Sequence, residues 1–169
     1  MKFEGRVWIF EDDDINTDLI FPGKYTYEPL KSEEMAKYAM EDYNPDFAKQ
    51  VKKGDIIVAG KNFGCGSSRE QAVTCLKYAG VSAIVAKSYA RLFYRNAINS
   101  AIPAIKCPEA AETVFQKKPM KISIDLAQGK IFVEGQEFFF LPLDKQAILI
   151  FEAGGLVEYT KNRLIREGG

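Results

Sequence analysis

A glycine-rich stretch at residues 60–72 constrains the fold of this chain more than any other segment. It follows an apolar run at residues 55–59 and precedes a helix-forming pattern that ends at Gly80. This order predicts a strand, then a tight loop, then the first turn of a helix. Because glycine lacks a Cβ, it permits backbone conformations and close approaches that other residues resist. Three glycines supply that freedom here: Gly60, Gly64 and Gly66.

The polar residues at the end of this loop predict an acid-binding site. Ser67 and Ser68 place two hydroxyls beside the first N–H groups of the helix, where anions bind readily. Arg69 adds a planar guanidinium that suits a carboxylate or a phosphate. A simpler alternative is a capping box without any ligand, because Ser67 and Glu70 have the required S-x-x-E spacing.

The glycine spacing and the charge balance exclude several classes of binding protein. The loop has no Gly-Lys-Ser/Thr ending and misses the dinucleotide fingerprint, so nucleotide phosphates are not its expected ligand. Lys+Arg and Asp+Glu both count 23, and the net charge of +0 gives no support for nucleic acid or an anionic membrane. Arg91 and Arg95 are therefore interpreted as holding loops or a partner surface in place.

The first residues and the apolar runs predict the cellular location. No apolar run approaches the roughly 20 residues that a spanning helix needs. Residues 1–6 lack the apolar region of a signal peptide. We therefore expect a cytoplasmic protein.

The chain has three cysteines and no histidine. The cysteines are widely spaced, so neither a zinc site nor a disulfide framework is predicted. Cys75 is expected to be a small buried hydrophobe, and Cys65 could alternatively be a reactive thiol at the helix N-terminus. The commonest general base and metal ligand is missing, so acid–base chemistry would need another side chain or a partner's histidines. An anion site without metal ligands indicates one half of an active site.

The periodicity predicts a single α/β domain over residues 1–169. Strands at 55–59, 82–86 and 104–105 alternate with helices at 69–79 and 89–99, which predicts parallel βαβ units with helices on one side. An antiparallel meander is predicted beyond Lys121, and its three strands lie at 121–126, 130–133 and 137–141.

Shorter elements are predicted on either side of these units. A first strand at 6–10 leads into an acidic segment at 11–18, which predicts a solvated turn. Ser32 is expected to cap a helix, and Asn44-Pro45 to open another. Two helices are expected at the C-terminal end, at 144–152 and from Leu156 onward.

Several motifs together resemble the small subunit of the two-subunit aconitase-like hydro-lyases, the group of isopropylmalate isomerase and homoaconitase. They keep the family's order over nearly the whole chain. The motifs are residues 14–18 followed by 20–23, residues 60–72, residues 86–99, and Gly154-Gly155-Leu156.

The resemblance implies a fold, a partner and a reaction. The fold would be the three-layer β/β/α swivelling domain of aconitase type, with a mixed sheet. It would close over a separate large subunit that carries a [4Fe–4S] cluster, in a heterodimer or heterotetramer, with no metal or cofactor in this chain. The reaction would be reversible dehydration and rehydration of a hydroxy di- or tricarboxylic acid.

The resemblance also assigns roles to residues of two of these motifs, 14–18 and 60–72. Ser67 matches the catalytic serine, whose alkoxide removes the proton next to a carboxylate. Ser68 and Arg69 match ligands of a substrate carboxylate. Thr17 and Asp18 match a Thr-Asp pair beside the active site, in which Asp18 orients or holds a charged group.

One loop departs from the family pattern and bears on the substrate. Tyr25, Thr26 and Tyr27 match the specificity loop, and Tyr27 stands where many members have an arginine. The missing guanidinium argues against a third substrate carboxylate, and a tyrosine suits a small apolar group. An alkyl-substituted malate is therefore favoured over homocitrate. Gln71 replaces a histidine that is common in bacterial members, a variant that also occurs in the family.

Alternatives from other classes stay open. Related hydro-lyases acting on homocitrate, dimethylmalate, citramalate or methylcitrate would use the same residues. A non-catalytic acid-binding module would keep the fold without needing the serines and the arginine. A self-sufficient enzyme is poorly supported, because the chain offers no histidine and no cluster-binding cysteine set.

Overall fold

The computed structural model describes residues 1–168, and seven strands form one mixed sheet in the order β4-β3-β2-β1-β5-β6-β7. The strands are β1 (Lys2–Phe10), β2 (Ile56–Ala59), β3 (Ala83–Ala86), β4 (Ala104–Lys106), β5 (Lys121–Asp125), β6 (Lys130–Val133) and β7 (Gln136–Phe139).

Eight α-helices accompany the sheet in the part of the chain that the structure describes. They are α1 (Thr17–Ile20), α2 (Ser32–Met35), α3 (Phe47–Gln50), α4 (Glu70–Ala79), α5 (Arg91–Asn99), α6 (Pro108–Lys117), α7 (Lys145–Ala153) and α8 (Leu156–Glu167). Short 3-10 turns lie at Gly23–Tyr25 and Ala36–Tyr38. Within residues 1–168, no helix has the length and apolar character that crossing a membrane requires.

Strand β1 joins two differently built halves of the sheet. On one side it runs parallel to β2, with Val7 opposite Ile56, and β2, β3 and β4 continue in parallel. On the other side it runs antiparallel to β5, with Gly5 opposite Ile122, and β5, β6 and β7 form a meander. The predicted mixed α/β fold, with parallel βαβ units and a C-terminal antiparallel meander, is confirmed.

Alternating side chains of the buried strands feed two apolar clusters on opposite faces of the sheet. Ile57 of β2 and Ile84 of β3 face the first cluster, together with α4 and α5. Val58 and Val85 are the next residues along the same strands, and they face the second cluster with the meander. Successive strand residues point to opposite faces, so short apolar runs buried on both sides produce this layering.

Helix α6 was not predicted. Its position shows that the helices do not all lie on one face of the sheet, contrary to what the sequence had indicated. It begins with Pro108 at its first position, and Ala111 and Val114 pack into the second cluster. Helices α4 and α5 do share one face, but α6 covers the other and contacts β2, β3 and β6. The result is a layer of helices, the parallel strands, and a further layer that α6 and the meander build.

Some predicted helix starts were wrong by a few residues. Ser32 is the first residue of α2 rather than its cap, and the backbone N–H of Lys31 donates to Glu34 at 2.8 Å. Asn44-Pro45 forms a turn in which the Asn44 side chain accepts from the N–H of Asp46 at 3.2 Å, and α3 begins only at Phe47. Local side-chain hydrogen bonds replace helical ones at this point.

A buried carboxylate fastens β1 to the start of β2. Asp55 is 3% exposed, and its Oδ2 accepts from Arg6 Nη2 at 2.7 Å, Trp8 Nε1 at 2.8 Å and the N–H of Lys52 at 2.9 Å. Burial alone would raise the pKa of Asp55, but the hydrogen bonds from Arg6, Lys52 and Trp8 outweigh it and hold the pKa below its ordinary value.

We predict that Asp55→Asn lowers stability at neutral pH by about 1–3 kcal/mol and flattens its acid dependence. A carboxylate with a depressed folded-state pKa contributes stability above its unfolded pKa of about 3.9, and that contribution disappears as pH falls through the folded-state pKa. Urea unfolding between about pH 7 and pH 3 measures both effects. The exposed Asp46→Asn is the control. Parallel pH profiles for wild type and Asp55→Asn would contradict the prediction.

Candidate active site

Two loops that follow neighbouring parallel strands form the site. The acidic loop (residues 11–18) follows β1, and the glycine loop (residues 60–69) follows β2. Because β1 and β2 are parallel neighbours, both loops emerge at the same edge of the sheet. Ligands commonly bind at the carboxyl ends of parallel strands for this reason.

The first halves of the two loops are hydrogen-bonded to each other. The N–H of Lys61 donates to Asp13 Oδ1 at 2.7 Å, and the N–H of Asp14 donates to the carbonyl of Lys61 at 2.9 Å. Asn62 Nδ2 donates to Asp14 Oδ1 at 2.8 Å. The acidic loop is therefore not only a solvated turn: its carboxylates satisfy donors of the glycine loop.

The second halves continue the pairing up to the serines. The N–H of Gly64 donates to the carbonyl of Ile15 at 2.8 Å, and the N–H of Thr17 to the carbonyl of Cys65 at 2.8 Å. Thr17 Oγ1 donates to the backbone carbonyl of Ser67 at 2.9 Å, and Thr17 is 2% exposed. This contact makes Thr17 a positioning group for Ser67, whereas its contact with substrate stays a prediction.

Glycine is required in this loop by close packing as well as by backbone conformation. Gly64 has φ +80°, and a Cβ there would lie within 2.1 Å of Phe93 Cγ on α5. At Gly60, a Cβ would lie 2.6 Å from the carbonyl oxygen of Asp12. The loop could not lie this close to α5 and the acidic loop with larger residues.

Neither serine caps α4, so the capping-box alternative was wrong. Helix α4 begins at Glu70, and Arg69 occupies the N-cap position without a side-chain hydrogen bond to the helix. Ser67 and Ser68 are exposed. Because no side chain caps the first turn, the N–H groups of Glu70 and Gln71 remain available to an anion from outside, whereas that of Ala72 donates to the carbonyl of Arg69 at 3.3 Å.

Arg69 and Asp18 meet in a tight ion pair. Arg69 Nη1 lies 2.5 Å from Asp18 Oδ1, and the arginine side chain is 19% exposed. Nη1 is buried against this carboxylate, which is the partner of that end of the guanidinium. Gly23 backs the pair, since a Cβ there would lie 3.0 Å from Asp18 Oδ1. The guanidinium is therefore held in place through Nη1, which leaves Nε and Nη2 as the donors for an incoming carboxylate.

The residues of the predicted specificity loop have unequal roles. Tyr25 stacks on Tyr38 with ring centroids 3.9 Å apart, and its hydroxyl donates to Glu41 at 3.3 Å. Tyr27 is 96% exposed. Of the two tyrosines, Tyr25 supports the loop and Tyr27 is free to contact a ligand.

Sequence reasoning missed how this loop is tied to the glycine loop. Gln71 Nε2 on α4 lies 3.5 Å from the backbone carbonyl of Thr26, a long hydrogen bond between helix and loop. Gly23 reaches the Asp18–Arg69 pair from the residues just before the loop. The position of Gln71, directly after Glu70 at the start of α4, was the only sequence feature that could have indicated its contact with Thr26.

The cysteines do not form a second site. Burial, reinforced by the charge of Asp14, raises the pKa of the Cys65 thiol, which disfavours the reactive thiolate. Burial also raises the pKa of Cys75 and of Cys107, both in the apolar clusters. Within residues 1–168, no three His, Cys, Asp or Glu side chains are grouped so that they could hold a metal ion.

The structure thus brings Ser67, Ser68 and Arg69 to one edge of a mixed sheet, in a chain without histidine. The aconitase C-terminal domain family matches residues 12–110, which include the glycine loop and all of the acidic loop except its first residue.

Similar proteins extend this match to nearly the whole chain. The 3-isopropylmalate dehydratase small subunit of Heliobacterium modesticaldum is 46% identical over 166 residues, which cover 97% of this chain and 98% of that protein. The methanogen homoaconitase small subunit of Methanothermobacter thermautotrophicus is 48% identical over 157 residues, 92% of this chain and 88% of that protein.

A solved structure has the same fold. The crystal structure of 3-isopropylmalate dehydratase from Methanocaldococcus jannaschii superimposes with a TM-score of 0.89 and 40% identity, covering 99% of this chain and 98% of that one. This chain belongs to the aconitase C-terminal domain family, among the small subunits of its two-subunit hydro-lyases.

We predict that Gly64→Ala destabilises the protein by about 3 kcal/mol, from a left-handed backbone and an overlap with Phe93. Gly135→Ala is a matched control, because Gly135 has φ +81° but nothing within 4 Å of the added Cβ. It should cost only about 1 kcal/mol. Urea unfolding of both variants measures the difference. Equal losses would mean that the approach of the glycine loop to α5 is not constrained.

Proposed function

We propose that this chain is the small subunit of a 3-isopropylmalate dehydratase, which interconverts 2- and 3-isopropylmalate in leucine biosynthesis. The observation that carries the proposal is the Ser67-Ser68-Arg69 edge, held by the acidic loop, with the guanidinium of Arg69 fixed at that edge by Asp18. Relatives of the same length that are named 3-isopropylmalate dehydratase small subunits support it. The chain would act as a single swivelling domain, in the cytoplasm.

Substrate binding would begin with a carboxylate at Arg69. The contact of Nη1 with Asp18 fixes the plane of the guanidinium, and Nε and Nη2 would donate to the carboxylate. Ser68 and the uncapped first turn of α4 add neutral donors beside it. The carboxylate would therefore be fixed by charge and by direction, which places the neighbouring carbon near Ser67.

Ser67 would act as the base. A serine hydroxyl is far too weak an acid to lose its proton unaided, so positive potential must stabilise the alkoxide. Arg69 and the N-terminal end of α4 lie beside it and supply such potential. Ser67 Oγ takes the proton from the carbon next to the bound carboxylate, while the hydroxyl leaves the adjacent carbon and an alkene acid forms. Return of the proton and the hydroxyl to exchanged carbons gives the isomer.

The large subunit would complete the site. In this proposal it carries the [4Fe–4S] cluster, which supplies the Lewis acid for the departing hydroxyl. It would also supply the histidines that this chain lacks. The assembly would be a heterodimer or a heterotetramer.

Homoaconitase is the second candidate function, because a homoaconitase small subunit is 48% identical to this chain. The freely exposed residue of the specificity loop is the uncharged Tyr27, which favours an alkyl group over a third carboxylate. Lys24 is nearby, but it lies over the ring of Tyr25 and contacts Glu41 at 3.9 Å.

Mixing the subunits tests the proposal. We expect this chain to turn over isopropylmalate only after anaerobic mixing with its cluster-loaded large subunit, as followed by the absorbance of the alkene acid. Ser67→Ala should bind the partner normally and lose at least about 10³-fold in kcat, because the base is gone. Full activity of Ser67→Ala would remove the base assignment. Absence of turnover with every candidate acid would favour the non-catalytic module.

We predict that Thr17→Val lowers kcat by about 10–100-fold with little change in KM, because the Ser67 carbonyl loses its donor and the base is misplaced. Val is nearly isosteric, so the folded structure should survive with about 1 kcal/mol lost. Thr17→Ser keeps the hydroxyl and should restore most of kcat. Wild-type kinetics for Thr17→Val would show that this contact does not position Ser67.

We predict that Tyr27→Arg shifts the ratio of kcat/KM for homocitrate over isopropylmalate by at least about 10-fold toward homocitrate, because a guanidinium can bind a third carboxylate. The side chain is 96% exposed, so thermal stability should not change. Tyr27→Phe, which adds no charge, is the control. An unchanged ratio would mean that Tyr27 does not contact the variable group of the substrate.

A further inference from the structure

A depression lies at the edge of the sheet from which the glycine loop also emerges. We call it the arginine groove; it lies between α5, the end of β4, residues 140–144 and α7, and its volume is about 860 Å³. Its floor is apolar and aromatic, formed by Tyr94, Ile98, Ile105, Phe140 and Ile150. Nothing in the proposed chemistry of Ser67 uses it.

The rim of the groove carries three cations without a partner in this chain. Arg91, Arg95 and Lys106 line it and are exposed. None of them lies within 4.0 Å of a carboxylate oxygen in residues 1–168. The single acid in the lining is Asp144, whose Oδ1 accepts the N–H of Ala147 at 2.7 Å as the cap of α7. The groove therefore has an uncompensated positive rim.

Apolar side chains beside these cations are also uncovered. Leu141 lines the groove and is 90% exposed, and Leu92, next to Arg91, is 49% exposed. Arginine beside exposed apolar groups is the composition of a protein interface, in which the apolar atoms are covered and the arginine meets an acid. The complementary occupant is a segment that carries both acidic and apolar side chains.

The groove and the glycine loop are mechanically joined. The N–H of Phe63 donates to the carbonyl of Ser88 at 3.1 Å, and the N–H of Ala90 donates to the carbonyl of Phe63 at 3.0 Å. The rings of Phe63 and Phe93 meet edge to face at 5.2 Å. The loop that leads into α5 is thus hydrogen-bonded to the glycine loop, which ends near Ser67. A partner bound in the arginine groove would therefore contact an element that is directly connected to the glycine loop.

We propose that the arginine groove is the docking surface on which the large subunit seats an acidic, apolar segment. This inference rests on the proposed function, since it assumes that a large subunit covers Ser67. The groove would place the partner's contact near Ser67, but on residues to which the proposed chemistry assigns no role. Binding there would orient the two halves of the active site and would be sensitive to salt.

The test is a charge reversal on the rim. The double variant Arg91→Glu/Arg95→Glu should bind the cluster-loaded large subunit at least about 10-fold more weakly, measured by calorimetry or sedimentation, and should lose much of the wild-type salt dependence. At a saturating concentration of the partner, kcat should return to near the wild-type value. Arg166→Glu/Lys117→Glu makes the same change in net charge at exposed sites away from the groove and should bind normally.

Further variants and controls separate docking of the large subunit from misfolding, from a direct role in catalysis and from binding of a second copy of this chain. Arg91→Ala/Arg95→Ala checks the effect without introducing acids, and circular dichroism confirms that each variant is folded. Unchanged affinity of both rim variants would overturn the proposal, as would loss of kcat at saturating partner with unchanged affinity. If wild type alone forms a dimer that the charge reversal dissociates, the groove belongs to a second copy, and the proposal fails.

The docking test also does not depend on turnover. Wild type that binds the partner through the rim, without turning over any candidate acid, would leave the groove proposal standing and remove the proposed function. If the mixture turns over a candidate acid and the rim variants bind the partner normally, the proposed function would stand and the groove proposal would be removed.

Discussion

The pairing of the acidic loop with the glycine loop is the constraint on which the site depends. Irregular loops leave backbone N–H and carbonyl groups that need partners. Here the two loops supply them to each other, through the carboxylate of Asp13, the carbonyl of Ile15 and the hydroxyl of Thr17. Because β1 and β2 are parallel neighbours, this pairing is a direct result of the sheet topology. It ends at Ser67, so the backbone of the proposed base is fixed by the fold.

The contact between Asp18 and Arg69 sets the electrostatics of that edge. A guanidinium that is largely buried would be costly without a counter-charge, and Asp18 supplies one. The same carboxylate weakens the positive potential that Arg69 exerts on its surroundings. Any additional potential that stabilises a Ser67 alkoxide must then come from the first turn of α4 and from the partner. The proposed site would then depend on a second chain for part of its electrostatics. The absence of histidine from this chain is consistent with such a dependence.

The sequence predicted the elements whose periodicity is strong and missed those fixed by contacts distant in the chain. The strands around Ile57 and Val85 were predicted within one residue, because a short apolar run that starts just after a glycine-containing turn has few alternatives. Helix α6 was missed, since its alanines gave a weak pattern after Pro108. A capping box from Ser67 was an alternative that the S-x-x-E spacing allowed, but Arg69 occupies the N-cap position, and the loop backbone before it is held by the acidic loop. The Asp18–Arg69 contact joins residues from different loops, and only the family resemblance had brought them together.

Amide hydrogen exchange in the isolated chain tests most directly whether the site is formed before a partner arrives. The informative amides are those of Asp14, Thr17, Lys61 and Gly64, which donate between the two loops. If the loops hold each other, these amides are protected to an extent comparable with the strand amides of β1, and adding the large subunit changes them little. Exchange near the unfolded-chain rate until the large subunit is added would show instead that the partner, and not the pairing of the loops, builds the site.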